Sequence, residues 1–157
     1  MAQSAITTEL VPISGLTAAQ RAAWRGMRAE NPALASPYFA LEFADLIADR
    51  RHDAQALVLT RKGRTAGFLP MQLSNWGVAR PLGGPLGDHH GLITDDDTLD
   101  LGAALRGSAA SVFCFHGAPA SQTGFAAAAS QIEPSWSIDL SDGCDAWLEN
   151  RRLADAK

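Results

Sequence analysis

The chain has 157 residues, 46% of them hydrophobic, a formal net charge of -4 and a pI near 5.4. That is enough length and apolar content for one domain with its own core. The acidic balance leaves no basic surplus to neutralise a phosphate backbone, so nucleic acid is excluded as a general partner, and no run approaches the ~18 apolar residues of a membrane span.

Ile6 to Ile13, "ITTELVPI", reads as a first strand. Thr17 and Gln20 then have the spacing of a capping box, in which the hydroxyl accepts from the N3 amide and the glutamine side chain returns to the cap. The helix they open carries Leu16, Ala19, Ala23, Trp24 and Met27 on one apolar face, and Pro32 ends it. "SPYF" starts the next helix with Ser36 as N-cap and Pro37 at N1, where a missing N–H costs nothing. Its expected buried stripe is Phe39, Phe43, Leu46 and Ile47. Ala56 to Thr60, the turn "RKGR" and Thr65 to Leu73 form an antiparallel hairpin, with Pro70 implying an edge position or a bulge. After the glycine-rich stretch Pro81 to Leu92 the pattern gives a helix from Leu99 to Arg106 and a buried strand "SVFCF". A helical segment through "FAAAAS", a strand "SWSIDL" and a last helix from about Ser141 containing Trp147 and Leu148 complete the series. That helix reaches Lys157 without a glycine or proline stop, the pattern of a chain that continues into a further domain. The fold class is therefore α/β (α+β), a mixed and largely antiparallel sheet flanked by helices, in one domain over residues 1–157.

The N-terminal fifteen residues lack a basic region followed by an apolar run, which makes the expected location cytoplasmic. Cys114 and Cys144, too few and too far apart for a disulfide scaffold or a zinc knuckle, are expected as reduced packing residues. Cys114 and His116 share one face of the expected strand and form a formal Cys-His pair, although a buried strand more often carries its cysteine as core.

"PLGGPLGDHHGL" concentrates four glycines, two prolines, an aspartate and two histidines. As a phosphate cradle it fails on chemistry. "RPLGGP", Arg80 to Pro85, puts a proline where an amide must donate, and no helical periodicity follows to supply a dipole. Adjacent histidines at 89 and 90 point to opposite sides of an extended chain, so a metal site would need His52 or His116 to arrive from elsewhere. "TDDDTLD" opens like a calcium loop but lacks its glycine and glutamate. The plainer reading is acidic residues ahead of a helix.

The succession "SPYF", "GRTAGFLPMQL", "ARPLGGPLGDHHGLI" and "WSIDLSDGCDAWLENRR" resembles the N-terminal part of GNAT-superfamily acetyltransferases of the CelD-like, or cellulose-biosynthesis-type, family. The matching phrases fall at Ser36 to Phe39, Gly67 to Met71, Gly84 to His89 and Leu140 to Trp147, with His89 standing where the family commonly has tyrosine. The resemblance implies the first of two GNAT-like halves. The C-terminal GNAT domain of the same protein would hold acetyl-CoA, with no cofactor site in this chain. The N-terminal half would help to form the site for a small-molecule, saccharide or amine acceptor. Gly84, Gly87, Asp88 and His89 would then line that site. The alternative for Asp88 is a carboxylate that caps its own loop's amides, and the alternative for the chain is a non-catalytic small-ligand or protein-binding domain.

Overall fold

The structure, a computed structural model, describes residues 6–106, 108–136 and 138–155. Strand β1 (Ile6–Pro12) leads through a short 3-10 turn into helix α1 (Ala18–Glu30). The capping box forms as expected. Gln20 N–H donates to the Thr17 hydroxyl at 3.2 Å and Thr17 N–H to the Gln20 side chain at 2.8 Å. Trp24 is the buried residue of α1, whereas Ala19 faces solvent. The Trp24 indole donates to the Phe39 carbonyl at 2.9 Å and its ring packs on Phe68, with centroids 5.1 Å apart.

The second helix differs from expectation. Pro37–Phe39 is a single 3-10 turn, and α2 (Leu41–Ala48) starts only after it. Ser36 makes no cap hydrogen bond. The buried residues of α2 are Leu41 and Ala44; of the expected stripe, Phe39 and Ile47 join the core, Phe43 is half-buried and Leu46 is 60% exposed.

β2 (Ala54–Arg61) and β3 (Arg64–Leu73) form the central hairpin, closed by Lys62 and Gly63 with φ of 52° and 75°. Positive φ at both central residues is the geometry whose twist matches the flanking strands. Ala56, Leu57, Val58 and Leu59 are all buried, so β2 is covered on both faces and reads as a continuous apolar run. Alternate residues feed two cores. Ala56, Val58 and Phe68 meet α1 and α2 on one face, and Leu57, Leu59, Leu69 and Met71 meet the elements that follow on the other.

β4 (Val78–Pro81) extends the antiparallel sheet, and β5 (Val112–Phe113) joins it in parallel, giving the order β1-β2-β3-β4-β5. The mixed, largely antiparallel sheet flanked by helices is thus the fold. α3 (Leu101–Leu105), capped by Asp100, and α4 (Thr123–Ala126) cover the second face with Leu101, Ala104 and Phe125. α5 (Cys144–Asp155) comes last.

Pro70 lies in an interior strand and away from the one register shift of the hairpin, which falls between Leu59 and Thr60. It is tolerated because β4 reaches only as far as Met71 on β3. Beyond that point the irregular segment 90–94 takes the place of a strand. Phe68 and Ile93 exchange both backbone hydrogen bonds, and the Thr94 hydroxyl donates to the Ala66 carbonyl. Pro70, two residues after Phe68, turns the same edge toward this segment, where a missing N–H leaves nothing unpaired.

The C-terminal expectations are corrected. β5 is two residues long, with Val112 51% exposed, so "SVFCF" is not a buried strand. Cys114 and Cys144 are exposed rather than packed. The helix expected through "FAAAAS" ends at Ala126, and no described residue between 135 and 140 is in a strand. Ser137 lies outside the described residues.

Candidate functional site

The glycine-rich loop leaves β4 at Leu82 and returns to the body of the protein at His90. Gly83 sits at φ 83°, and a Cβ there would lie 2.8 Å from the Phe43 ring, so only glycine lets the loop pass over α2. Its amide donates to the Gln72 side chain, whose own N–H donates to Asp53. The Arg51 guanidinium beside Asp53 holds that carboxyl below the usual carboxylate range. A 3-10 turn, Gly84–Leu86, follows.

From this turn the chain places Asp88 and His89 against the "SPYF" turn fifty residues earlier. The Tyr38 hydroxyl donates to Asp88 Oδ2 at 3.4 Å. The His89 ring stacks on Tyr38, with centroids 6.2 Å apart and 28° between planes, and leans over Phe39. Its Nδ1 pairs with the Ser36 hydroxyl at 3.3 Å and its Nε2 with the Ser135 hydroxyl at 3.4 Å. A neutral imidazole has one donor and one acceptor nitrogen, so one serine donates to the ring and the other accepts from it. Asp88 is exposed and His89 half-buried, so both present polar atoms to solvent beside an aromatic wall. Such a wall with a carboxylate at its rim suits a ligand that pairs an apolar or ring face with an amine or hydroxyl.

Of the four residues singled out in the sequence, Asp88 and His89 come together at this surface. Gly84 does not line it as a contact, since the space beside its Cα is open. Gly87 is buried beneath it and acts through its carbonyl, which accepts from His116 Nε2 at 2.7 Å. That bond commits His116 to the loop rather than to Cys114. Sequence reasoning missed Tyr38, the chain's single tyrosine, and assigned Ser36 to a helix cap. Ser135 carried no signal at all.

Other candidates resolve as structure. Three of the four aspartates of "TDDDTLD" are engaged by the chain itself. Asp96 accepts from Thr98 and Arg61, Asp97 from Asn31, and Asp100 caps α3. The Thr98 hydroxyl, with Arg61 adding to it, holds the Asp96 carboxyl below its usual range. Among the described residues no group of three or more His, Cys, Asp or Glu could hold a metal. Arg80–Pro85 does not fit a coenzyme A pyrophosphate, because Pro85 has no N–H and the three-residue turn behind it supplies no helix dipole. No described helix is long and apolar enough to cross a membrane. Open clefts elsewhere, such as one of ~400 Å³ lined by Leu10, His52, Asp53, Gln55 and Ser74, are shallow.

Comparison with protein-family models, with curated proteins and with solved structures gave no match. The class of the protein therefore rests on its fold, an α+β domain, and on this surface.

Proposed function

We propose that this chain is the acceptor-side, N-terminal region of a GNAT-type acyltransferase, a two-domain cytoplasmic enzyme that moves an acyl group from acyl-CoA to an amine or hydroxyl acceptor. The observation that carries the reading is the meeting of two sequence phrases. "SPYF" and "GGPLGDHH" are far apart in the chain, and they build one surface through Tyr38, Asp88, His89 and Ser36. A mixed, largely antiparallel sheet flanked by helices agrees with the same resemblance.

In this reading Asp88 and the Tyr38 hydroxyl orient the acceptor's amine or hydroxyl, and the His89 ring packs against its body. The donor, acetyl-CoA, belongs to the C-terminal GNAT domain, in keeping with the poor fit of Arg80–Pro85. A second reading, a non-catalytic binding domain, is favoured by a different observation. Trp136 and Ile138 are 90% and 59% exposed, as an interaction surface would be.

The test is nitrogen-15 NMR of the chain with a panel of amino sugars and aliphatic amines, repeated with Asp88→Asn and Tyr38→Phe. Saturable shifts at residues 36–39 and 87–90, weakened at least about tenfold by Asp88→Asn, are expected. The acceptor role fails if no amine or sugar perturbs that surface, or if Asp88→Asn binds equally well. Saturable binding of coenzyme A on Gly83–Gly87 would instead identify this chain as the donor half.

A further inference from the structure

We propose that His90 is an acid-operated latch: segment 88–94 is held on β3 while the imidazole is neutral, and it comes away when Nδ1 takes a proton. Carbonyl oxygens only accept, so the 2.8 Å contact of His90 Nε2 with the Pro70 carbonyl fixes Nε2 as the protonated nitrogen. Nδ1 then carries the lone pair. It is buried without a hydrogen-bond partner, in a ring that is 3% exposed and packed against Phe113 and Phe125. A neutral lone pair left there is tolerable, whereas an imidazolium N–H at the same place meets no protein acceptor and is shut off from bulk solvent.

The surroundings give no relief. β3 presents the Pro70 carbonyl, β5 and α4 present the rings of Phe113 and Phe125, and residues 114–118 present the Gly117 carbonyl, which accepts from His90 N–H. The ionisable group whose charge bears on the ring is His116, and its positive form opposes a second cation. Burial accordingly lowers the His90 pKa from 6.5 to about 4.

The segment that His90 holds is neither helix nor strand. Besides the contacts of His90 itself, its bonds to the body include the Phe68–Ile93 pair, Thr94 to Ala66, Asn31 Nδ2 to the Thr94 carbonyl, and the Gln122 side chain, which accepts from Leu92 N–H and donates to the Leu92 carbonyl. Leu92 and Ile93 are buried in the two cores, so the strap stays closed while the ring is neutral, and the cost of a buried cation at Nδ1 is what releases it. Opening exposes the ring, restores its ordinary basicity and displaces Asp88 and His89, so acid disassembles the surface they form. The inference stands on the His90 geometry and holds whether or not that surface binds an acceptor.

Native-state hydrogen exchange on the whole chain, corrected for intrinsic rates, tests it between pH 7.5 and 5. Leu92 and Ile93 amides should lose about 30-fold in protection by pH 5, from an open-state value of 6.5 against about 4 closed, while β2 amides keep theirs. His90→Gln keeps a donor for the Pro70 carbonyl and does not titrate, so it should abolish this dependence. The proposal is overturned if strap and β2 amides lose protection together, if strap protection is constant with pH, or if His90→Gln is as acid-sensitive as the parent. Should His90→Gln not fold, ring titration of the unmodified protein decides. A His90 that titrates near 6.5 with the strap amides still protected overturns the latch.

Discussion

A methyl group at residue 117 would have nowhere to go. Gly117 has φ 59°, and a Cβ built on it would lie 2.0 Å from the Asp88 carbonyl oxygen, so the two loops at the site touch through bare backbone. Gly84 has a similar φ, 54°, but open space around it. The pair separates steric exclusion from backbone strain. Gly84→Ala should cost only the strain of a left-handed residue, ~1 kcal/mol in urea denaturation, and leave the His89 environment intact. Gly117→Ala should cost ~3 kcal/mol or more and shift the Asp88 and His89 amide resonances, because a backbone oxygen cannot give way as a flexible side chain can. Equal costs for the two variants would mean that the loops are not pressed together. The same contact explains why the site was half legible in the sequence. Asp88 and His89 stand out locally as polar residues in a glycine-rich tip. Tyr38, Ser36 and Ser135 join them only through tertiary contacts that no spacing encodes.

At the scale of elements, the hairpin β2–β3 carries one local misfit that can be relieved. Lys62 holds φ 52° at a turn position where asparagine is at ease and most side chains are strained. Lys62→Asn should therefore stabilise the protein by about 0.5 to 1 kcal/mol, raising the urea midpoint without changing the slope. A destabilised variant would show that the lysine side chain makes contributions of its own. Elements whose signals are local were readable in advance: the capping box of α1, the hairpin, the apolar run of β2. β5 and "SWSIDL" were not. Alternation marks a segment able to pair, while pairing itself depends on a neighbour supplied from elsewhere. Trp136, Ile138 and Leu140 alternate as a strand should, yet the described residues of that stretch have no ladder. α2 was displaced for a related reason. The turn at Pro37–Phe39 delivers Tyr38 to His89 and Phe39 to the core, and the helix begins only after both are placed.

For the molecule as a whole, the two cores end at Phe125. Among the described residues from 130 to 154 none is buried, and Ile132, Trp136, Ile138, Leu148 and Leu153 are each at least 40% exposed. The ties seen from this stretch to the body are few, the Ser135–His89 pair among them, while Gln131–Glu133 and Arg152–Glu149 stay within it. A chain ending at Ala129 should accordingly keep the unfolding free energy of the parent to within about 1 kcal/mol, since exposed side chains away from such ties contribute little. The denaturant slope is the sharper measure, because it scales with the surface that unfolding exposes. A stretch already exposed in the folded chain adds almost nothing to that slope, so parent and shortened chain should agree. The shortened chain should also self-associate less in sedimentation, having lost exposed tryptophan, isoleucine and leucine side chains. α5, 12 residues long and with no buried side chain among those described, should melt gradually in the parent, ahead of the cooperative transition, as a weakly supported helix does. A fall of several kcal/mol with a lower slope on truncation would show instead that residues 130–155 pack on the sheet in solution, and that the apolar side chains there belong to the fold.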